Sequence, residues 1–286
     1  MKKQLLIAAV AASMTSVAMA DVSITGVATA NINKVSGANT TYAHDLDLKI
    51  TGKAGDTTAV IDLETKSSAN SMDVKNSYMK TKIGGANIKI GDWTGSDSLL
   101  GNGSNDNTEQ LSIDYTMNGV KVQYEDQGGS DSVTVSGTVG GVAISHEIFD
   151  TKTDTKFSTT VAGVSATYRS VDSDTNAKDK SSLEVSTEVS GLTLTYVDVD
   201  ANETGSSGTT SDAFFGAQTG VKTASGVGVS TAMAGNKVTF KSYDINDVDT
   251  NKLIVSRPMA GGTFEATFTD TDGSSSSTDL ELKVKF

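Results

Sequence analysis

Two histidines, His44 and His146, are the only imidazole side chains in the 286-residue chain, and cysteine is absent. A hydrolase or protease of the serine type would need a histidine beside a serine and an orienting carboxylate. Neither histidine lies in a recognisable nucleophile motif, and at period two His146 shares a face with Val142, Ile144 and Ile148. We therefore expect no enzyme activity. The lack of cysteine also excludes disulfides, thiolate nucleophiles and thiolate metal sites.

Oxygen ligands cluster in one acidic stretch that contains Asp198, Asp200, Asn202 and Glu203. A calcium loop needs a central glycine and a terminal bidentate glutamate, and this stretch has neither. We expect a solvated loop with no metal or other cofactor. Bridging of such loops to lipopolysaccharide by divalent ions is an open alternative.

Charged residues elsewhere alternate with apolar ones, as in Leu46-Asp47-Leu48-Lys49-Ile50. Successive side chains of a strand point to opposite faces, so each such segment has an apolar face and a wet face. The basic candidates for the wet face are Lys49, Lys66, Lys80, Lys82 and Lys89, and the acidic ones are Asp92, Asp97, Asp106 and Glu109. If the wet face lines a channel, these groups oppose one another and tune ion selectivity. Alternatively, they are ordinary solvated positions in a wide lumen.

The elements that carry these charges are short strands joined by turns. The chain has 28 glycines and one proline, and the alternation recurs to its end. Glycine-containing pairs, which favour tight hairpins, occur at Gly84-Gly85, Asn118-Gly119, Gly140-Gly141, Ala162-Gly163, Ser190-Gly191, Ser225-Gly226 and Gly261-Gly262. Polar stretches that suggest longer loops run over 172–181, 200–211, 244–250 and 270–277.

Alternating short turns and long loops are typical of membrane barrels. We predict an all-β, transmembrane antiparallel β-barrel of 16–18 strands, with short periplasmic turns and longer extracellular loops. A soluble β-sandwich array or solenoid would show the same alternation. The C-terminus favours the barrel, because a closing strand would place its last aromatic at the membrane interface. Its apolar face comprises Leu280, Leu282, Val284 and Phe286.

The first twenty residues resemble an export signal. Lys2 and Lys3 precede an apolar stretch, and Ala18-Met19-Ala20 forms an A-x-A cleavage site. An N-terminal membrane anchor is the alternative, although the apolar stretch is too short to span about 30 Å of hydrocarbon. We predict cleavage after Ala20, a signal peptide over 1–20 and one barrel domain over 21–286. Loss of both lysines changes the formal net charge from −12 to −14, which argues against nucleic acid as a partner.

Several features together resemble the Gram-negative general porins: the signal peptide, the N-terminal strand 21–26 and the final strand ending in Phe286. The stretch 76–92 resembles the porin hairpin of strands four and five, in which a tyrosine-bearing strand turns through glycine. Residues 93–109 then correspond to the third loop, which folds into the barrel in that family. Residues 110–126 resemble strands six and seven.

The resemblance implies an outer-membrane homotrimer for passive diffusion of ions and small hydrophilic solutes. Its expected partners are outer-membrane lipid, lipopolysaccharide and the barrel-assembly machinery. The sequence departs from the family at Asp92, where an arginine is usual, and its only arginines are Arg169 and Arg257. The family's arginine cluster on the pore wall is therefore absent. From the negative charge we expect a mild cation preference. The alternative is a non-transporting surface or secreted protein with an adhesive, structural or phage-receptor role.

Overall fold

Strands account for nearly all of the chain that the structure describes. The computed structural model describes residues 21–66, 71–93, 109–126, 131–174, 179–201, 209–212, 214–219 and 221–286. The first ten strands are β1 (Asp21–Val35), β2 (Thr41–Ala54), β3 (Thr57–Lys66), β4 (Ser71–Ile83), β5 (Ala86–Asp92), β6 (Glu109–Met117), β7 (Val120–Asp126), β8 (Asp131–Val139), β9 (Val142–Phe149) and β10 (Lys152–Val161). The others are β11 (Val164–Ser173), β12 (Lys180–Val189), β13 (Leu192–Ala201), β14 (Thr209–Asp212), β15 (Gly216–Thr219), β16 (Thr223–Met233), β17 (Asn236–Ile245), β18 (Val248–Met259), β19 (Gly262–Thr271) and β20 (Ser277–Lys285).

Eighteen of these strands form one closed antiparallel sheet. Each pairs with its neighbour in sequence, β13 pairs with β16, and β1 pairs with β20 to close the cylinder. The short strands β14 and β15 pair only with each other, between β13 and β16. The predicted transmembrane-type antiparallel barrel of 16–18 strands is confirmed as a fold, with eighteen strands. Among the described residues, no helix is long and apolar enough to cross a membrane.

Tight turns collect at the end of the barrel that also holds Asp21 and Phe286. In six of them both turn residues have positive φ, as the twist of a type I′ hairpin requires. They are Gly84-Gly85, Asn118-Gly119, Gly140-Gly141, Ala162-Gly163, Ser190-Gly191 and Ala234-Gly235. The expected layout of short turns at one end is therefore present.

Three of the predicted connections differ. The last short turn is Ala260-Gly261, one residue earlier than expected, because Gly262 already pairs with Val284. Residues 244–250 contain a two-residue turn at Asn246-Asp247 rather than a long loop. Ser225-Gly226 is no turn at all, since both residues pair within β16 and the chain reverses later, after Met233.

The two faces of the barrel differ in chemistry, as the alternation predicted. The apolar rows point outward, where large side chains such as Ile24 (63% exposed), Ile83 (62%) and Met117 (63%) have no covering layer. The registers place charged pairs such as Lys49 with Asp62 and Lys156 with Arg169 on the opposite, inner rows. Inside the cylinder, the buried apolar cluster lies against β11, β13, β16 and β17.

Candidate pore lining

The inner face of β2 and β3 is polar and mostly acidic. Asp47 lies opposite Glu64 and Lys49 opposite Asp62, with 3.7 Å between Lys49 Nζ and Asp62 Oδ1. Asn76 on β4 also donates to Asp62 Oδ2, at 2.9 Å. Asp47, Asp62 and Glu64 outnumber Lys49, so these paired positions are polar and net negative.

The inner face of β4 and β5 is basic. Lys80 and Lys82 share one row of β4, and Lys80 lies directly opposite Lys89 on β5. Directly opposed like charges destabilise a sheet. Lys89 instead directs its ammonium over two aromatic rings, 4.3 Å from the Tyr78 centroid and 3.9 Å from that of Trp93.

Trp93 is fixed where β5 ends. Its indole meets Tyr78 edge to face at 6.4 Å, and its carbonyl accepts a hydrogen bond from Gln110 Nε2 at 2.9 Å. Trp93 and Gln110 are both buried. This hydrogen bond joins the end of β5 to the start of β6, and thus the two ends of the third loop expected from the sequence.

The expected acidic partners of the lysines are described only in part. Asp97 and Asp106 lie outside the described residues. Glu109 begins β6 opposite Asp92, and the side chains of Glu109 and Lys66 are outside the description too. Asp92 pairs with Ser77, one position out of step with the row of Lys80 and Lys82. The structure thus brings Lys80, Lys82 and Lys89 together, while Lys49 lies two strands away on β2.

A second charged cluster, missed in the sequence, lies on β8 to β11. Arg169 Nε donates to both oxygens of Asp154, at 2.8 and 3.0 Å, and Arg169 Nη2 also contacts Asp154. Ser132 donates to Glu147 at 2.8 Å on the same face. Asp154 is buried, so this is a fixed part of the wall. The available signal was a single arginine on a polar row of an alternating strand.

An apolar segment enters the lumen between β13 and β16. Phe214 and Phe215 are buried and meet each other edge to face at 5.1 Å, and Phe215 meets Tyr243 at 5.5 Å. They pack against Val197 and Val199 of β13. From the sequence, we predicted a polar loop over 200–211 and assigned no role to Phe214 and Phe215; the two adjacent phenylalanines were the available signal.

The C-terminal residues form the closing seam. Leu280, Leu282 and Val284 pair with Ile32, Ala30 and Ala28. The backbones of Gly26 and Phe286 exchange two hydrogen bonds, at 2.8 and 3.1 Å. The ring of Phe286 covers Gly26, where a Cβ would lie 2.4 Å from its tip.

Neither histidine faces the interior of the barrel. His146 lies on an outer row, 2.8 Å from Thr155 Oγ1, and His44 pairs with Ala30 on the outer face of β1 and β2. Within the described ranges, no three acidic or histidine side chains converge as metal ligands would.

Five of the outward-facing aromatic residues form a row near the tight turns. Each lies four residues from the end of its strand on that side. The row comprises Tyr124, Phe157, Tyr168, Tyr196 and Phe240. Because all five lie at the same distance from the turns, they form a belt around part of the barrel.

The closed barrel is similar to solved porin structures. Two engineered variants of the porin of Rhodopseudomonas blastica align with TM-scores of 0.61 and 0.60, at 10% and 11% sequence identity. Each alignment covers 93% of this chain and 100% of the other. The chain has the porin fold. No protein-family model matches the sequence, and a comparison with curated proteins finds no match.

The porin fold holds although nine residues in ten differ from these structures. A third solved structure, described as "asymmetric conductivity of engineered proteins", aligns with a TM-score of 0.59. Closure and alternation, rather than particular side chains, carry this likeness.

Proposed function

We propose that this chain is an outer-membrane porin, a water-filled channel through which ions and small hydrophilic solutes diffuse passively. The observation that carries the proposal is a closed eighteen-strand cylinder with charged inner rows and uncovered apolar outer rows. A barrel of this strand number is wide enough to leave an aqueous passage. Charges on the inner rows remain solvated there, whereas lipid would cover the apolar rows.

The outer face supports the membrane location. Aromatic residues gather at membrane–water interfaces, and the belt of Tyr124, Phe157, Tyr168, Tyr196 and Phe240 lies at one level above the tight turns. Lipid contact would satisfy the large exposed apolar area that no other part of the described chain covers. We assign the tight-turn end to the periplasm and the other end to the cell exterior.

Export requires the leader. The barrel begins at Asp21, the residue after the proposed cleavage site, and residues 1–20 lie outside the described part. We propose removal of 1–20, insertion of 21–286 by the barrel-assembly machinery, and contact with lipopolysaccharide in the outer leaflet. Mass spectrometry of the mature protein should show an N-terminus at Asp21.

The proposed porin is a homotrimer with a mild cation preference and no enzyme activity. The trimer rests on the family resemblance. The preference rests on the net charge of −14 after loss of Lys2 and Lys3, and it should weaken as salt screens the lumen. Reversal potentials that favour chloride in a planar bilayer would contradict it.

Liposome swelling tests the transport claim. Vesicles that contain the purified, heat-modifiable protein should swell in small sugars and stop swelling above a size limit. A non-transporting surface protein of the same fold would leave the vesicles unswollen and would show no stepwise conductance. A secreted soluble protein would need no detergent and would not be heat-modifiable.

A further inference from the structure

The apolar patch inside the barrel lies where a water-filled wall would be polar. Val171, Val197, Val199 and Ala224 face inward, and each is nearly inaccessible, with at most 4% exposed. Apolar side chains on a lumen wall would be wetted at a free-energy cost if nothing covered them. Phe214 and Phe215 provide the cover.

β16 is shaped to accept this cover. Gly226 and Gly228 occupy successive inner positions, where glycine weakens a strand and marks the close approach of another group. A Cβ would lie 2.6 Å from the Phe214 ring at Gly226, and 2.9 Å from it at Gly228. The two glycines therefore form a cradle for one aromatic ring, which accounts for glycine at these positions inside a strand.

Polar contacts fix the segment at two points. Lys241 Nζ donates to the carbonyl of Phe214 at 2.8 Å, and its ammonium lies 4.9 Å from the ring. At the exit, the carbonyl of Lys222 accepts from Ala201 N at 2.7 Å, and the Asn246 side chain accepts from Lys222 N at 2.7 Å. These contacts hold the segment to β13, β17 and the turn after β17.

The position of the cradle matters for passage. β4 and β13 lie nine strands apart in both directions around the cylinder, as do β5 and β16. The seated phenylalanines therefore project from the wall diametrically opposite the lysine-bearing strands. A solute must pass between these two walls.

We propose that the segment containing Phe214 and Phe215 is a fixed constriction that sets the size limit of the pore. It is seated on Gly226, Gly228 and Tyr243 and is held by Lys241. The inference rests on the proposed channel function. The proposal assigns the constriction to the connection between β13 and β16. Any narrowing by the third loop, residues 93–109, would be additional.

Substitutions at the cradle test the constriction. Gly228→Leu should displace the ring, and F214S/F215S should remove the apolar seat. Each should raise the single-channel conductance by about 1.5-fold or more and enlarge the sugar limit in liposome swelling. The matched control is Ser186→Leu, which adds the same side chain to an inner position of β12 outside the cluster. It should leave the conductance equal or slightly lower.

The outcomes separate the two proposals. Heat-modifiable variants that conduct like the wild type overturn the constriction while transport stands. If the wild type does not conduct but the variants do, the segment is a complete block and the open-pore proposal fails. If neither conducts, both fail.

Thiol labelling tests the seat without disturbing it and without relying on transport. The chain has no cysteine, so Val199→Cys and Thr193→Cys each provide a single thiol on an inner position of β13, and Thr193 pairs with Ser230 away from the cradle. A water-soluble maleimide should label the thiol at 199 at least about tenfold more slowly than the thiol at 193, because the phenylalanines protect it. Equal rates in the detergent-solubilised barrel would overturn the proposed seat.

Discussion

Lys89 holds its ammonium 3.9 Å from the centre of the Trp93 ring, directly across the sheet from Lys80. A cation above an aromatic face gains about 0.5–2 kcal/mol, depending on its desolvation. This contact draws one charge of the basic wall toward the aromatic pair. The ammonium of Lys89 is thereby held at the rings of Tyr78 and Trp93.

Trp93→Leu should free the ammonium and reduce the cation preference. The loss of the ring leaves Lys89 solvated in the lumen beside Lys80 and Lys82, so the anion permeability should rise. The measurement is the reversal potential in a planar bilayer under a salt gradient. Tyr115→Leu removes an outer-face aromatic as the control, and an equal shift in both variants would contradict the effect.

Leu253 and Ile254 are adjacent on β18 but lie on opposite faces, because Leu253 pairs with Phe268 and Ile254 with Thr267. Leu253→Lys should destabilise the membrane-embedded barrel by about 2–4 kcal/mol if the residue lies near the midplane. Ile254→Lys places the same charge in lumen water and should cost much less. Urea unfolding in lipid vesicles measures both, and equal losses would contradict the assignment of the two faces.

Arg169 donates to both oxygens of the buried Asp154. Arg169→Met should lower the free energy of unfolding by about 3–5 kcal/mol, because the carboxylate loses its guanidinium partner. The double variant Asp154→Leu/Arg169→Met should recover most of the loss.

Lys49→Met serves as the matched control when the free energy of unfolding of Arg169→Met is measured. Lys49 is half exposed and 3.7 Å from Asp62, so its removal should cost less than about 1 kcal/mol. Similar losses for Arg169→Met and Lys49→Met would show that burial of the first pair adds nothing.

Gly262 is the first residue of β19, which pairs with the last strand, β20. A Cβ there would lie 2.1 Å from the Lys283 carbonyl oxygen, so Gly262→Ala forces a backbone shift and should cost about 1–3 kcal/mol. Gly137→Ala is the control, because its Cβ would meet a backbone oxygen at 3.3 Å. The measurement is the temperature at which each variant loses its folded gel band. Equal temperatures would be inconsistent with a close contact between β19 and β20 at Gly262.

The sequence predicted the repetitive parts of the fold well. Alternation such as Leu280 to Phe286 identifies both faces of a strand, because its period of two is a local property. Turns such as Asn118-Gly119 are local as well, since positive φ is a preference of the residues themselves. The placement of Lys80, Lys82 and Lys89 on one face followed from the same period, although their role in selectivity stays a prediction.

Other features depend on contacts between residues far apart in sequence. Gly226 was interpreted as a turn residue, but it lies within β16, where its missing side chain makes room for the ring of Phe214 from a separate segment. Arg169 and Asp154 meet only because β10 and β11 pair in that register.

By itself, the sequence determined an alternating, glycine-punctuated strand pattern, and hence a barrel with a charged face and an apolar face. Only the tertiary structure decided that eighteen strands close, which strands stand opposite one another, and that Phe214 and Phe215 seat inside the lumen. The physical reason is range: side-chain alternation and turn preference act over a few residues. Closure and the filling of the lumen depend instead on how distant strands and segments fit in space.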